Sequence, residues 1–296
     1  MLIAQSNKIP IIPVKVYAST SELAVEKSML TSLQNPLVKQ MRKLHQAKER
    51  RSQNLFLLEG THLLEEAYGN GVSFVTLCCT PIWQEAHPRL WQQATGRSQR
   101  AEIVSQEVLQ SIATTVHPDG VVATVERVVR TPDLAHTQLG IALETLQDPG
   151  NLGTIIRTAA AVGADGLWLS ADSVDVDHPK VLRASAGQWF RLPMTVSANL
   201  LSEIQHFKSQ GIQVIATLPT AAATFWEIDL TRPTLILLGN EGAGLSSELA
   251  TRADMGVKIP LEPGVESLNV ATTAALMLYE ARRQQQFVNK EPSINR

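Results

Sequence analysis

The apolar positions of this chain alternate between short unbroken runs and longer stretches with helical spacing. The runs Leu55 to Leu58, Val72 to Cys79, Val121 to Val125, Gly166 to Ser170, Gln213 to Thr217, Thr234 to Leu238 and Met255 to Ile259 have the length and composition of buried strands. Shorter strands are expected at Glu102 to Val104, at Leu143 to Leu146 and near Pro193. Between them the period changes. Leu37, Met41 and Leu44 fall at i, i+4 and i+7, and Leu152, Ile155, Ile156 and Ala159 share one helical face. Helices are therefore expected over Pro36 to Arg51, His62 to Tyr68, the tryptophan-bearing segment after Pro81, Gln106 to Ala113, 152 to 162, Pro179 to Ala186, 200 to 209 and 246 to 251, with a long one at the C-terminal end. Gly69-Asn70-Gly71, Gly163 and Gly211 offer the positive-φ positions that end helices.

Strands alternating with helices define an α/β protein in two units. Residues 30–126 form a small α/β unit, 127–139 (Arg130-Thr131-Pro132-Asp133 and the polar residues after it) a linker, and 140–288 a second unit with a parallel sheet. By periodicity alone the second unit is doubly wound, and a dinucleotide-binding sheet is the default reading. Residues 1–29 carry Pro10 and Pro13 without a leading basic region, a pattern expected of a flexible extension. Residues 289–296 read as a tail.

Composition narrows the setting. The chain has 296 residues, enough for two domains, with 44% apolar and 18% charged residues and no apolar run long enough to cross a bilayer. Its two cysteines, Cys78 and Cys79, are adjacent on a strand, so they point to opposite faces and an ordinary disulfide is not expected between them. A reduced, cytoplasmic setting is the simplest inference. The histidines lack metal-ligand spacing, and no metal is expected. The net charge of −2 argues against a general polyanion binder, yet Lys39, Arg42, Lys43, Lys48, Arg50 and Arg51 crowd into one segment opposed by Glu49. A helix there would turn most of these cations outward, as a solvated face or as a contact for RNA phosphate.

The densest chemical signal is LILLGNEGAGLS from Leu235 to Ser246, an apolar strand ending in a glycine-rich loop that holds one carboxylate, Glu241. Gly239, Gly242 and Gly244 permit positive φ and close approach of backbone to a ligand. Two other segments have a similar strand-loop-helix pattern. LETLQDPGNLGTIIRTAAAVGADGLWLS from Leu143 opens a helix near Asn151, where Asn151 can act as a cap. IPLEPGVESLNVATTAALMLYEARRQ from Ile259 leads into the final helix, where Ser267 and Asn269 can act as caps.

Together these segments resemble the SpoU (TrmH-like) branch of the SPOUT RNA methyltransferases. The match is carried by Asn151-Leu152-Gly153 with Arg157, by Gly239-Asn240-Glu241-Gly242, and by Ile259-Pro260 with Ser267-Leu268-Asn269. FLLEG at Phe56 to Gly60 and HPDGVVATVE at His117 to Glu126 resemble the L30e-like substrate-binding domain often joined to such enzymes. The resemblance implies a trefoil-knot α/β domain with a parallel sheet behind that smaller domain, and methyl transfer from S-adenosylmethionine to a ribose 2′-hydroxyl, with ribosomal RNA favoured over transfer RNA.

It also implies roles for individual residues. Arg157 would stabilise the developing alkoxide, and Asn151, Glu241, Ser267 and Asn269 would complete the catalytic set, with Glu241 orienting Arg157 or the target nucleotide. Cofactor contacts are expected from Thr217, Leu218, Gly239, Asn240, Gly242, Ile259, Leu261 and Leu268, and RNA contacts from Lys39, Arg42, Lys43, Arg50 and Arg51. The stripe Val270, Ala274, Met277 and Ala281 serves either the helix's own sheet or the interface of a homodimer. Two other classes stand beside this reading. One is a non-catalytic RNA-binding protein with the same fold; the other is a nucleotide-dependent oxidoreductase, against which the absence of an early glycine fingerprint weighs.

Overall fold

The computed structural model describes residues 29–128 and 130–288, so the expected extension up to residue 28 and the tail lie outside the described residues. The first unit contains α1 (Pro36–Lys43), α2 (Ala47–Gln53), β1 (Leu55–Glu59), α3 (Thr61–Gly69), β2 (Phe74–Cys79), α4 (Pro81–Ala86), α5 (Pro88–Thr95), β3 (Ser98–Ile103), α6 (Gln106–Ile112) and β4 (Val121–Glu126). Its strands form a mixed sheet in the order β1-β4-β2-β3, with β2 and β3 parallel and the other pairs antiparallel. Residues alternate between the faces. Leu57, Cys78 and Val122 lie under α1 and α6, while Phe56, Leu58, Ala123 and Val125 join a core that continues into the second unit.

The second unit runs β5 (Leu139–Leu143), α7 (Pro149–Val162), β6 (Gly166–Ser170), α8 (Pro179–Ala184), β7 (Met194–Ser197), α9 (Leu200–Ser209), β8 (Gln213–Thr217), β9 (Ala223–Thr224), β10 (Thr234–Leu238), α10 (Ser247–Arg252), β11 (Met255–Lys258) and α11 (Val270–Val288). All its strand pairs are parallel, in the order β7-β6-β5-β10-β8-β11-β9. This order sets the position of the site. β5, β10, β8 and β11 are consecutive in the sheet, so the loops leaving their carboxyl ends are neighbours on one edge, where parallel sheets bind ligands.

Several expected elements differ. The helix expected over Pro36 to Arg51 is two helices, because the amides of Leu44, His45 and Gln46 make tight i to i−3 bonds. The carbonyls of Leu44 and His45 accept instead from the Arg50 guanidinium, each at 3.0 Å. The segment after Pro81 also divides. Its break is at His87, which precedes Pro88 and is kept out of helical geometry at φ −128°, ψ 52°. The strand expected over Leu143 to Leu146 lies earlier, at Leu139–Leu143, and Thr145 just beyond it adopts a left-handed φ of 52°. The stripe Val270, Ala274, Met277 and Ala281 is buried within this chain's own core, so that stripe is not the face of an interface.

Candidate active site

The loop after β10 closes on itself. Asn240 and Gly244 exchange two backbone hydrogen bonds of 3.0 Å, and the Asn240 carboxamide oxygen accepts from the amides of Gly242 and Ala243 at 2.9 Å. Its nitrogen donates to the Thr145 carbonyl at 2.8 Å, which ties this loop to the one after β5. Gly244 has φ +72°, whereas Gly239 is required for a different reason. A Cβ at Gly239 would lie 2.1 Å from the carbonyl carbon of Gly244 and the amide nitrogen of Leu245. A side chain there would break the loop before it reached any ligand.

Glu241 projects from this loop to the start of α7. Its carboxylate accepts from the Asp148 amide at 2.9 Å, the Gln147 amide at 3.1 Å and the Asn151 carboxamide at 3.1 Å. Asn151 in turn accepts from the Asn269 carboxamide at 3.0 Å. Three segments far apart in sequence thus meet in one chain of hydrogen bonds. Burial pushes the Glu241 carboxyl upward, but the amide of Asp148, its own amide, the Asn151 carboxamide and the Gln147 amide hold it below the usual carboxylate range. It is an anion at neutral pH. Within this chain Glu241 holds Asn151 and the β5–α7 loop and makes no hydrogen bond or ion pair with Arg157, which is one of the two partners expected for it beside the target nucleotide.

Asn151 is not the cap of its helix. Asp148 caps α7 through the amides of Gly150 and Asn151, and Pro149 occupies the first helical position, where its missing N–H is harmless. This leaves the Asn151 side chain free for Glu241 and Asn269. Asn269 does cap α11, accepting from the amides of Ala271 at 2.9 Å and Thr272 at 3.3 Å. Residues not singled out in the sequence also brace the site. Glu144 accepts from the Ser246 amide at 2.7 Å, and Asp172 accepts from Thr145 at 2.8 Å. No spacing rule marks either residue, although the Asp148-Pro149 pair is a readable helix start.

A cavity of about 410 Å³ opens among the loops after β8, β10 and β11. Thr217, Leu218, Gly239, Asn240, Gly242, Ile259, Leu261 and Leu268 all line it, together with Glu241 and Ser267. Leu238, Leu245 and Val257 add apolar wall, while Glu241 and Glu266 bring two negative charges against the one positive charge of Lys258. Apolar walls with a few polar groups suit an adenosine, and carboxylates suit a cationic sulfonium. Among the described residues no cluster of three or more His, Cys, Asp or Glu could hold a metal ion. No described helix is long and apolar enough to cross a membrane. Both cysteines are free and buried, and burial pushes each thiol up to about 12.

Arg157 stands apart from this junction. It is exposed on α7, outside the lining of the cavity, and its side chain makes no hydrogen bond or ion pair to another described residue. The helix turns through about 100° per residue, so six residues carry it well around the axis from Asn151. The RNA-facing set also divides. Lys39, Arg42, Lys43 and Arg51 are exposed, whereas Arg50 is only 1% exposed and ion-paired to Asp175 and Asp177. Arg50 is therefore removed from the RNA-contact set, because a guanidinium buried against two carboxylates is out of reach of phosphate.

Comparison with known proteins agrees with this geometry. Residues 138–279 match the SpoU rRNA Methylase family, and residues 35–123 match the MRM3-like substrate binding domain. A tRNA/rRNA methyltransferase of Synechocystis, itself uncharacterized, is 51% identical over 272 residues, covering 91% of this chain and 97% of that protein. The 23S rRNA (guanosine(2553)-2′-O)-methyltransferase RlmP of Bacillus subtilis is 34% identical over 257 residues, covering 86% and 98% respectively. The crystal structure of an AdoMet-bound rRNA methyltransferase from Sinorhizobium meliloti superposes with a TM-score of 0.77 at 32% identity, covering 86% of this chain and 97% of that one. With matches extending through both units, the chain belongs to the SpoU family of RNA methylases.

Proposed function

We propose that this chain, an S-adenosylmethionine-dependent RNA ribose 2′-O-methyltransferase, acts on ribosomal RNA. The observation that carries the reading is the junction of Glu241, Asn151 and Asn269 beside a cavity made by three strand-end loops. Ribosomal RNA is favoured over transfer RNA because the similarity to the Bacillus subtilis 23S rRNA enzyme runs through 98% of that protein, the substrate-binding unit included. The knotted threading implied by the resemblance belongs to the same proposal.

Bound S-adenosylmethionine supplies an electrophilic methyl group. The residues of this chain then have separable tasks. The loops after β8, β10 and β11 hold the adenosine, with Gly239 allowing the tight return of the β10 loop. Glu241 fixes the Asn151 carboxamide, which presents hydrogen-bonding groups to the ribose. Arg157 cannot act as a base, since arginine stays protonated in proteins, but its guanidinium can stabilise negative charge growing on the 2′-oxygen. Arg157 does not line its own chain's cavity, and Leu276 and Tyr279 are exposed on α11, which packs against α7. These features support a homodimer through this unit, in which pairing of α7 and α11 faces would complete a reaction centre.

Mapping ribose methylations in total RNA with and without the protein tests the proposal. Loss of a 2′-O-methyl group from one ribosomal nucleotide is expected. Loss confined to transfer RNA would move the substrate, and an unchanged map would remove the function.

A further inference from the structure

Away from the cavity, buried charge concentrates between the two units. All three nitrogens of the Arg50 guanidinium donate hydrogen bonds, four in all. Nε donates to Asp177 at 3.0 Å, one terminal nitrogen donates to Asp175 at 2.8 Å, and the other donates to the Leu44 and His45 carbonyls. Arg127, just after β4, also hydrogen-bonds Asp177. A second anchor lies nearby. Arg183 of α8 donates to Glu59 and to Thr114, each at 2.9 Å, and Glu59 also accepts from the amides of Thr114 and Thr115.

Adhesion alone does not account for this cluster. Phe56 already packs on Trp189 with ring centroids 5.0 Å apart, inside an apolar core shared by both units. Replacing a buried ion pair by apolar residues of similar volume is often neutral or stabilising. Apolar contact has no preferred direction, whereas a guanidinium fork on two carboxylates fixes an angle. The carboxylates sit just before α8, and α8 is locked to α7 because a Cβ at Gly153 would come within 2.4 Å of the Ala184 Cβ and 2.7 Å of the Val181 carbonyl. α7 carries Asn151 and Arg157. A continuous line of rigid contacts therefore runs from Arg50 to the candidate reaction centre.

We infer that the Arg50–Asp175–Asp177 cluster, with Arg183–Glu59 as second anchor, is a specificity latch: it holds the substrate-binding unit at one angle to the methyl-transfer cavity and so selects the nucleotide that is methylated. The inference rests on the RNA methyl-transfer reading. RNA held by the exposed α1 cations must reach the cavity across a fixed span, whereas a flexible linker would present a range of nucleotides at lower effective concentration. Arg50 is a positioning residue and touches neither RNA nor cofactor.

The test uses the full chain with Arg50→Met, Arg50→Lys and Asp177→Asn, reading melting temperature, calorimetric S-adenosylmethionine affinity, single-turnover methylation of ribosomal RNA and the map of methylated nucleotides. Cofactor affinity should be unchanged. Methylation at the native nucleotide should slow by about 10²-fold, the loss that accompanies a misplacement of roughly 1 Å, and label should spread to neighbouring nucleotides. Lysine should restore folding stability better than selectivity, since it keeps the charge and lacks the fork. If the Arg50 variants fail to fold, Arg183→Leu loosens the second anchor and should give the same spreading. Wild-type rate at a single unchanged nucleotide in a folded variant overturns the latch. Absence of transfer by the wild-type chain overturns instead the reading on which it rests.

Discussion

Replacing Gly153 by alanine should lower stability even though alanine is the better helix former. An added Cβ would lie 2.4 Å from the Ala184 Cβ, 2.7 Å from the Val181 carbonyl oxygen and 3.0 Å from the Ala184 carbonyl carbon. Two of these neighbours are backbone, so no rotamer change relieves the contact. Glycine to alanine in an open helix gains about 1 kcal/mol, while overpacking costs about 1–3 kcal/mol, and contacts this short belong at the upper end. The net loss is about 2 kcal/mol. For a unit of ~150 residues each kcal/mol lowers Tm by roughly 2–4 °C, which predicts a fall of about 4–8 °C by calorimetry or circular dichroism. Methyl transfer should fall further than cofactor affinity, because α7 carries Asn151 while the cavity lies on other loops. Adding Ala184→Gly removes the Cβ contact and leaves the two backbone ones, the Val181 carbonyl oxygen and the residue-184 carbonyl carbon, so it should restore only part of the loss. A Tm equal to or above that of the wild type would refute the close packing of α7 on α8.

The site and surface give further expectations. Gly239→Ala should abolish calorimetric S-adenosylmethionine binding together with local order in the β10 loop, because its Cβ would collide with the loop's own backbone; retained affinity would separate this glycine from the cavity. Arg42, Lys43 and Arg51 changed together to alanine should flatten the log-affinity against log-salt slope for RNA by up to about one unit for each phosphate no longer neutralised, and an unchanged slope would make the patch a solvated face. Burial, and then the cations of Arg50 and Arg183, lower the His178 pKa, and its Nδ1 accepts from the Lys180 amide as the cap of α8. The folded chain thus prefers neutral His178, so this contribution is present above the ordinary value of about 6.5 and is lost as pH falls through the lower folded value. His178→Asn, which keeps a capping oxygen and does not titrate, should flatten that part of the Tm-against-pH profile; an identical profile would dismiss the effect.

The sequence was most informative where local chemistry decides structure. The run Thr234 to Leu238 is buried throughout, Gly163 and Gly211 follow their helices at positive φ, and every expected cofactor residue lines one cavity. These are matters of short range, of apolar runs and of backbone freedom. Long-range partners were not legible. Arg50 has the same local pattern as Arg51, yet Arg50 is buried against Asp175 and Asp177, more than a hundred residues away, while Arg51 reaches Asp175 at 3.7 Å with its side chain still exposed. Asn151 looked like a cap because it stands near a helix start, but the Asp-Pro pair before it takes that role and releases it for Glu241. The stripe on α11 could face a sheet or a second chain by periodicity alone, and its burial in this chain's own core, with α11 packed on α7, excludes the second.

Methyl transfer from S-adenosylmethionine to a ribose oxygen, with the role proposed for Arg157, has one direct test. Purified protein should be mixed with methyl-labelled cofactor and ribosomal RNA under single-turnover conditions, and the RNA digested to nucleosides. Label is expected in a 2′-O-methylnucleoside, and with Arg157→Ala a rate lower by about 10²-fold or more, as when one preorganised stabilising donor is removed, at unchanged cofactor affinity. Label on a base, no label at all, or near-normal transfer by the alanine variant would contradict it.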